Sequence, residues 1–290
     1  MEGIANINKP SGVTSFDVIR VLRRNVKMKR IGHTGTLDPL ATGVMVVCFG
    51  EATKLASDIE AERKVYVAEM EFGYSTDSYD SEGTIIKTNS DFDYSVIDEK
   101  YLNRVFASFL GVQKQIPPMF SALKVNGKRL YELARENIEI EREPREIFIE
   151  YIKLVEMKDK KVKFELKVSK GTYIRTVVND IGEKIGCYAT MIALERKSVG
   201  EYLIEKSYKL EDIEKMCKNE DFSFIVSVEE SFKNYMEYEI IDEKNYKLFK
   251  NGNTVVTSDY IDGKYKIYYR GNFEGLGIIV EERLKGYKLF

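Results

Sequence analysis

The sequence predicts an α+β protein in which helices flank a largely antiparallel mixed sheet, followed by a small C-terminal β module. Strand-like and helix-like patterns mix along the chain without the regular alternation of a doubly wound fold. From about residue 237 the pattern changes to short, tyrosine-rich strands separated by turn dipeptides. These dipeptides are Asn251-Gly252, Asp262-Gly263 and Gly271-Asn272. We therefore expect a large domain over residues 1–236 and the β module over residues 237–290.

The chain opens with a predicted strand and helix. Residues 3–8 favour a short strand that ends at the turn Lys9-Pro10-Ser11-Gly12. Thr14 or Ser15 is suited to cap a helix, whose apolar face is predicted from helical spacing. The residues of that predicted face are Phe16, Ile19, Leu22 and Val26.

The remaining elements of the large domain follow from hydrophobic periodicity. Residues 44–50 are an apolar run typical of a buried strand, and residues 64–73 alternate as a half-buried strand does. Residues 74–84 are polar and predict turns. We further expect helices at 101–110 and about 177–185, and strands at 147–157 and 161–169.

Composition limits the classes of function. The chain has 290 residues, of which 43% are hydrophobic, which is enough for a sizeable core. A net charge of -2 argues against non-specific coating of nucleic acid, because that affinity requires many cations. No apolar stretch approaches the roughly 20 residues of a membrane helix, and the start MEGIANINKP lacks the layout of a signal peptide. We therefore expect a cytoplasmic protein without a membrane partner.

Cysteine and histidine are too sparse for a metal site. Cys48, Cys187 and Cys217 are odd in number and far apart, so we predict reduced thiols and neither a disulfide framework nor a zinc site. His33 is the single histidine, which excludes a His-rich metal cage. Carboxylates, tyrosines and cations are the groups that remain for chemistry.

A basic run precedes the most unusual loop of the sequence. Residues 20–30 hold six cations and no acid, among them Arg20, Arg23 and Arg24. Such a run can position a polyanion without making the whole protein basic. The alternative is an ordinary solvated helix face.

Residues 32–44, GHTGTLDPLATGV, surround one carboxylate with three glycines, three threonines and a proline. Pro39 disfavours the helical conformation of Asp38, so the Asp38 side chain is expected to project from a stiff, extended turn. Glycines let the backbone approach a ligand closely. An Asp-Pro turn also occurs simply as a capping or Asx-turn device, and this alternative stays open on the local pattern alone.

Several motifs together resemble the bacterial tRNA pseudouridine synthase B family. The resemblance covers about residues 3–205 and rests on motifs in the family's order. They are Asn8-Lys9-Pro10 with Gly12, Gly32-His33-Thr34-Gly35, Leu37-Asp38-Pro39-Leu40-Ala41-Thr42-Gly43, and Lys170-Gly171-Thr172-Tyr173-Ile174-Arg175. The resemblance implies an isomerase that detaches uracil from its ribose in the tRNA T loop, turns it and rejoins it through carbon, with no cofactor or metal.

The resemblance also implies roles for individual residues. Asp38 matches the catalytic aspartate, and Arg175 matches the arginine that pairs with it, for which we expect a buried bidentate ion pair that keeps the carboxylate ionised. Tyr66 matches the tyrosine that stacks on the target base, and His33 the residue that fills the space left by the flipped base. The further substrate-binding candidates are Lys9, Asp80, Tyr173 and Leu194.

Residues 117–146 resemble the family's insertion that covers the RNA. Lys124, Lys128 and Arg129 are candidates for contact with the RNA backbone, and an ordinary solvated helix is the competing interpretation. Three residues depart from the family's pattern, namely Phe120 for a tyrosine, Asn137 for a glycine, and Glu195 in a usually basic stretch. The C-terminal module resembles the family's small RNA-binding module, PUA-like, only loosely.

Three other functions compete with a stand-alone monomeric enzyme acting on the T arm of tRNA. A guide-RNA-dependent pseudouridine synthase shares the Asp loop, but segment 117–146 is typical of the stand-alone enzymes. An RNA-folding chaperone would bind tRNA without needing catalysis. A glycoside hydrolase would need a second positioned carboxylate, and no spacing places Asp77, Asp80 or Glu82 beside Asp38.

Overall fold

The computed structural model describes residues 2–125, 127–136 and 138–290, so the expected turn at Asn137 lies outside the described residues. The helices are α1 (Ser15–Val26), α2 (Ala56–Ala61), α3 (Glu99–Ala107), α4 (Leu130–Arg135), α5 (Ile174–Ile185), α6 (Leu210–Lys218), α7 (Val228–Ser231) and α8 (Glu243–Lys250). Short 3-10 helices cover Gly50–Leu55, Tyr94–Val96 and Ile204–Lys206.

Nineteen strands lie within the described residues. The first ten are β1 (Gly3–Lys9), β2 (Ile31–His33), β3 (Thr42–Phe49), β4 (Lys64–Phe72), β5 (Tyr74–Thr76), β6 (Ile85–Thr88), β7 (Gly111–Gln115), β8 (Lys124–Val125), β9 (Lys128–Arg129) and β10 (Arg145–Lys158). The others are β11 (Lys161–Val168), β12 (Ala189–Val199), β13 (Tyr202–Leu203), β14 (Tyr208–Lys209), β15 (Met236–Ile240), β16 (Val255–Val256), β17 (Gly263–Tyr269), β18 (Asn272–Val280) and β19 (Arg283–Leu289).

A ten-stranded mixed sheet organises the larger part of the chain. Eight strands follow the order β14-β1-β3-β12-β4-β11-β10-β7, with β2 paired to β3 and β13 to β12. All pairs are antiparallel except β1 with β14 and β3 with β12. The predicted α+β class with a largely antiparallel sheet is therefore confirmed. The polar stretch 74–84, expected to be turns, begins with the short strand β5.

Helices pack against the sheet in separate hydrophobic cores. One core joins β4, β10, β11 and β12 to α3 and α5, with Phe106, Phe164 and Val178 at its centre. A second core joins β1 and β3 to α1 and α6 through residues such as Ile7, Leu22 and Ile213. The residues that alternate with these on β1 and β3, such as Ile4 and Val46, belong to a third core, as the period of two in a strand requires.

Helix α1 starts where the sequence predicts, but it buries a different stripe. Thr14 caps it, its hydroxyl accepting from Asp17 N while the Asp17 carboxylate accepts from Thr14 N, a reciprocal capping box. The buried residues are Ser15, Val18, Ile19 and Leu22. Phe16, expected on the apolar face, is 55% exposed because the buried stripe includes Ser15 and Val18 and turns away from position 16.

A glycine in the middle of α5 sets the distance between that helix and the sheet. A Cβ atom at Gly182 would overlap the backbone of Tyr188 and Ala189, where the chain turns into β12. The helix therefore packs against the sheet at a separation that no larger residue permits.

We expect Gly182→Ala to lower the free energy of unfolding by about 3 kcal/mol, the upper part of the usual range for overpacking. Lys184→Ala, on the exposed side of the same helix, is the matched control and should stay within about 0.5 kcal/mol. Urea unfolding followed by circular dichroism measures both. Equal stability of the two variants would contradict this account of the packing.

A five-stranded sheet with order β15-β17-β18-β19-β16 forms the C-terminal part, with α8 packed against it. Leu276 of β18 shares a core with Ile4 and Val46 of the larger sheet. The division at residue 236 and the PUA-like character of this part stay predictions. Within the described residues, no helix has the length and apolar character needed to cross a membrane.

Candidate active site

The loop that carries Asp38 is tied to the start of the chain. Ser15 Oγ accepts a hydrogen bond from Leu37 N at 2.9 Å and donates to Leu37 O at 3.1 Å. On the other side of Asp38, Gly12 N donates to Pro39 O at 2.9 Å. Both flanks of the aspartate are therefore held by backbone contacts, as its expected presentation on a stiff turn requires.

Lys9 contacts the loop that carries Asp38. Its side chain is fully buried, and Nζ donates to the carbonyls of Pro10, Pro39 and Ala41 at 2.9, 3.2 and 2.7 Å. Because an ammonium group has three hydrogens, none is left for a substrate. Lys9 thus holds the loop around Asp38 in this structure, and a direct contact with substrate stays a prediction.

Arg175 joins two carboxylates at the start of α5. Its Nη2 lies 3.3 Å from Asp38 Oδ1, and its Nη1 lies 3.3 Å from Asp80 Oδ2. Nη2 also donates to the backbone carbonyl of Phe120, and Nη1 to that of Ser78. The pair with Asp38 is therefore a single contact rather than the expected bidentate one, because the guanidinium divides its donors among four acceptors.

Asp80 lies behind this arginine. It is 3% exposed, and its Oδ1 accepts from Ser78 Oγ at 2.6 Å and from Glu82 N at 3.1 Å. Both of its oxygens are thus engaged, in contrast to Asp38, whose side chain keeps 31% exposure. Asp80 orients Arg175 from the protein side, whereas Asp38 is the carboxylate that remains partly exposed to solvent.

Protein surroundings raise the pKa of Asp38 above its usual range. Desolvation by burial is the largest cause, and the negative charge of Asp80 adds to it, while Arg175 opposes it. The expected ion pair therefore does not lower the pKa below that of an ordinary aspartate. A carboxylate of higher pKa is a stronger base and nucleophile once it has lost its proton.

If the reaction needs ionised Asp38, its rate should fall on acidification at a higher pH than it would with an aspartate of ordinary pKa. We expect the single-turnover rate to fall with decreasing pH through a midpoint above 3.8, the unperturbed value. Rates at a series of pH values measure this, with circular dichroism at each pH as the control for folding. An unchanged rate down to pH 3.8 in folded protein would contradict it.

Tyr66 and Leu194 lie on the same face of neighbouring strands. Tyr66 is 7% exposed on β4, and Leu194 is 7% exposed on β12, where it is in register with Ala68. Both belong to the core cluster that includes Leu37 and Ala41 from the Asp38 loop. The structure thus brings both predicted pocket residues beside this loop.

Tyr173 immediately precedes α5 and the active-site arginine. Its backbone N donates to Gln115 Oε1 at 2.8 Å, and Gln115 Nε2 donates back to its carbonyl at 3.1 Å. Burial raises the pKa of its phenol, which the Arg175 charge opposes. Tyr173 is therefore a neutral group held near Arg175.

His33 ends β2, at the start of the same loop. Its Nδ1 accepts a hydrogen bond from Gly35 N at 3.3 Å, which leaves Nε2 to carry the proton of the neutral ring. Burial and the charge of Arg196 lower its pKa, so the ring is neutral at pH 7. This half-buried ring lies beside the loop without an ion pair to Asp38 among the described contacts.

The predicted RNA-backbone cations are exposed but not equivalent. Arg20 pairs with Asp17 at 3.1 Å and Arg24 with Glu214 at 3.2 Å, whereas Arg23 has no carboxylate partner among the described residues. In segment 117–146, Lys124 and Lys128 project from the paired strands β8 and β9, and Arg129 contacts Tyr131. All six are exposed to solvent.

Sequence reasoning missed Arg196. This arginine of β12 is 2% exposed, and it donates from Nε to Val44 O at 2.6 Å and from Nη2 to Gly35 O at 3.1 Å. It thereby connects the Asp38 loop to the central strand of the sheet. The available signal was its alternation with Glu195 and Lys197, which predicts that its side chain points to the buried face.

The residues that the structure describes contain no group of three or more His, Cys, Asp and Glu side chains suited to hold a metal ion. All three cysteines are free; Cys48 and Cys187 are buried, and Cys217 is half-buried. The site thus contains a partly exposed carboxylate, which an arginine orients and an aromatic residue flanks.

Family models match most of the chain. The model of the TruB family pseudouridylate synthase N-terminal domain matches residues 23–174. The model of the tRNA pseudouridylate synthase B C-terminal domain matches residues 175–233. The boundary between the two matches falls at Arg175, and residues 234–290 lie beyond both.

Relatives match over the full length. A tRNA pseudouridine synthase B of Fusobacterium nucleatum is 53% identical, with 100% of both chains covered, and one of Clostridium kluyveri is 42% identical with the same coverage. Among solved structures, a chain of an H/ACA RNP bound to a substrate RNA containing 2′-deoxyuridine has a TM-score of 0.70 at 20% identity, covering 99% of this chain and 84% of that chain. A chain of an archaeal box H/ACA sRNP complex has a TM-score of 0.68 at 20% identity, covering 99% and 85%. These two structures show a common fold.

Proposed function

This chain belongs to the TruB family of pseudouridylate synthases, and from that premise we propose that its site converts the uridine at position 55, in the T loop of tRNA, to pseudouridine. The observation that carries the proposal is the position of Arg175, which lies 3.3 Å from both Asp38 and Asp80. It fixes Asp38, the carboxylate of the two that is partly exposed. The names of its full-length relatives support tRNA as the substrate.

The reaction is an isomerisation, so no atom is gained or lost overall. The bond between the sugar and a uracil nitrogen breaks, the base turns, a carbon of the base joins the sugar, and the proton on that carbon moves to the vacated nitrogen. Asp38 acts on the sugar, either by attacking carbon or by removing a sugar proton, and both roles require its ionised form. Arg175 and Asp80 position that carboxylate.

A base inside a folded loop is out of reach of Asp38, so the nucleotide must leave the stack. Tyr66 would then stack on the extruded uracil, with Leu194 and Tyr173 lining its pocket. Tyr66 is only 7% exposed, which suits a ring with one accessible face. His33, at the edge of the loop, is placed to fill the space that the base leaves.

Contacts to the rest of the RNA come from two basic groups. Lys124, Lys128 and Arg129 project from the segment that reaches the site through the Phe120 carbonyl. Arg20, Arg23 and Arg24 extend along the outer face of α1, which is bonded to the Asp38 loop through Ser15. We further propose that the C-terminal sheet is a PUA-like module that contacts the same tRNA.

One chain supplies Asp38, Asp80, Arg175 and Tyr66, so a second copy is not needed to complete the site. We therefore propose that the protein acts as a monomer, and that it works in the cytoplasm, where its tRNA substrate is found. Light scattering of the purified protein with and without tRNA tests the monomer.

The direct test is to expose unmodified tRNA to the purified chain without any other RNA and to map pseudouridine. We expect modification at one T-loop uridine. Modification only after a guide RNA is added would support the guide-dependent alternative. A glycoside hydrolase would instead release free uracil. That reaction needs a second carboxylate beside Asp38. Asp80 has no free oxygen for this role, because Arg175, Ser78 and Glu82 donate hydrogen bonds to both of its oxygens.

A further inference from the structure

Three buried cations lie behind the Asp38 loop without a carboxylate partner. Lys9, Lys64 and Arg196 are 0%, 5% and 2% exposed, and none forms an ion pair with any residue that the structure describes. Buried charges in proteins are usually paired, because desolvation of a charge costs several kcal/mol. An unpaired group of this kind is suited to bind an anion from outside.

The three cations differ in the hydrogen-bond donors that remain. Lys9 is saturated by three carbonyls. Lys64 Nζ donates to the carbonyls of Glu60 and Glu62 at 2.6 and 2.8 Å, which uses two of its three hydrogens. Arg196 uses Nε and Nη2, while Nη1 has no acceptor among the described residues. Donors therefore remain on Lys64 and on Arg196 only.

Gly35 lies next to these donors. A Cβ atom at Gly35 would stand 3.6 Å from Arg196 Nη1 and 4.0 Å from Lys64 Cε. The absent side chain thus leaves space beside both cations, and the next residue, Thr36, is exposed to solvent. Gly35 is three residues from Asp38 on the same loop.

We propose that Arg196 and Lys64 bind one backbone phosphate of the RNA at Gly35, next to the nucleotide on which Asp38 acts. This inference rests on the proposed function. A phosphate there would compensate two buried charges with charge-assisted hydrogen bonds. Burial and the neighbouring Arg196 lower the pKa of Lys64 to about 8, although the charges of Glu60 and Glu62 oppose this shift.

The test uses T-arm hairpin RNAs in which single phosphates are replaced by neutral methylphosphonates. For wild-type protein we expect one linkage next to the target uridine whose replacement weakens binding about tenfold, the size of one charge-assisted contact. Lys64→Met should weaken binding of the unmodified hairpin by a similar factor and should lose most of its sensitivity to that linkage. The control is Lys197→Met on β12, the strand of Arg196. The charge of Lys197 is paired with Glu195 at 3.3 Å, so this variant should behave as wild type.

A second pair of variants covers the case that Lys64→Met does not fold. Thr36→Glu places a carboxylate at the solvent-exposed edge of the site, where it competes with the phosphate, and Thr36→Gln is its neutral control. Only Thr36→Glu should lose sensitivity to the linkage. If replacing each phosphate weakens binding by the same factor in these variants as in wild-type protein, no phosphate binds at Gly35. Wild-type protein that forms no pseudouridine in the hairpin would instead refute the proposed function.

Discussion

Asp38→Asn should abolish pseudouridine formation, with a loss of at least about a thousandfold in single-turnover rate, while the affinity for tRNA changes little. Asparagine keeps the size and the hydrogen-bonding reach of the side chain but can neither attack carbon nor accept a sugar proton. General acid-base groups contribute about a hundredfold to ten-thousandfold, and a nucleophile contributes at least as much. Quantification of pseudouridine and a binding titration on the same tRNA measure the two quantities.

This variant should also remain folded. A carboxyl group whose pKa is raised in the folded state favours folding below its unfolded pKa, and that contribution is lost as pH rises through the folded pKa. At pH 7 ionised Asp38 is therefore a cost to the folded state, because burial raises its pKa. The thermal midpoint of Asp38→Asn should be no lower than that of wild type.

The comparison also separates enzyme from chaperone. Product formed by folded Asp38→Asn at the wild-type rate would show that another residue performs the chemistry. If tRNA maturation in cells depended on the protein and yet survived this substitution, binding would be its principal role.

Arg175→Met should lower both the rate and the stability. Removal of the guanidinium leaves Asp38 and Asp80 close together without a cation, and loss of one member of a buried ion pair costs about 3–5 kcal/mol. The rate should fall about a hundredfold or more, because Asp38 loses the group that fixes its direction and its pKa rises further. Denaturant unfolding and single-turnover rates measure the two effects.

A double variant distinguishes positioning from simple structural support. Asp80→Asn combined with Arg175→Met removes the second carboxylate and should recover part of the lost stability without recovering the rate. The acid midpoint of the residual activity should lie at higher pH than in wild type. If the rate returned together with the stability, the role of Arg175 would be structural, and it would not position Asp38.

The elements of the fold were predictable where local chemistry decides them. Thr14 was among the predicted caps of α1, and the short apolar run 44–50, bounded by glycines, predicts the buried strand β3. Phe16 was wrongly predicted to be buried, because helical spacing allows an apolar residue at the edge of the stripe to be either buried or exposed. The order of strands in the sheet depends on contacts between distant residues and has no local signal.

The site was predictable through its motifs more than through its geometry. Asp38 and Arg175 are 137 residues apart, and only their resemblance to known motifs placed them together. Lys9 is predicted to contact substrate from its motif alone, and the three carbonyls that surround its ammonium group depend on the fold of the loop and have no local signal. Arg196 carries no motif signal of its own, since its function follows from the position of β12 between β3 and β4.

That position of β12 has a consequence for synthesis on the ribosome. Strands β3 and β4 follow each other in the chain, yet β12 lies between them, in parallel register with β3 at Arg196 and Gly43. A nascent chain of 190 residues or fewer thus holds two partial sheets with a missing middle. At roughly 5–20 residues per second, the interval between β3 and β12 lasts on the order of ten seconds, during which unpaired edges await their partner.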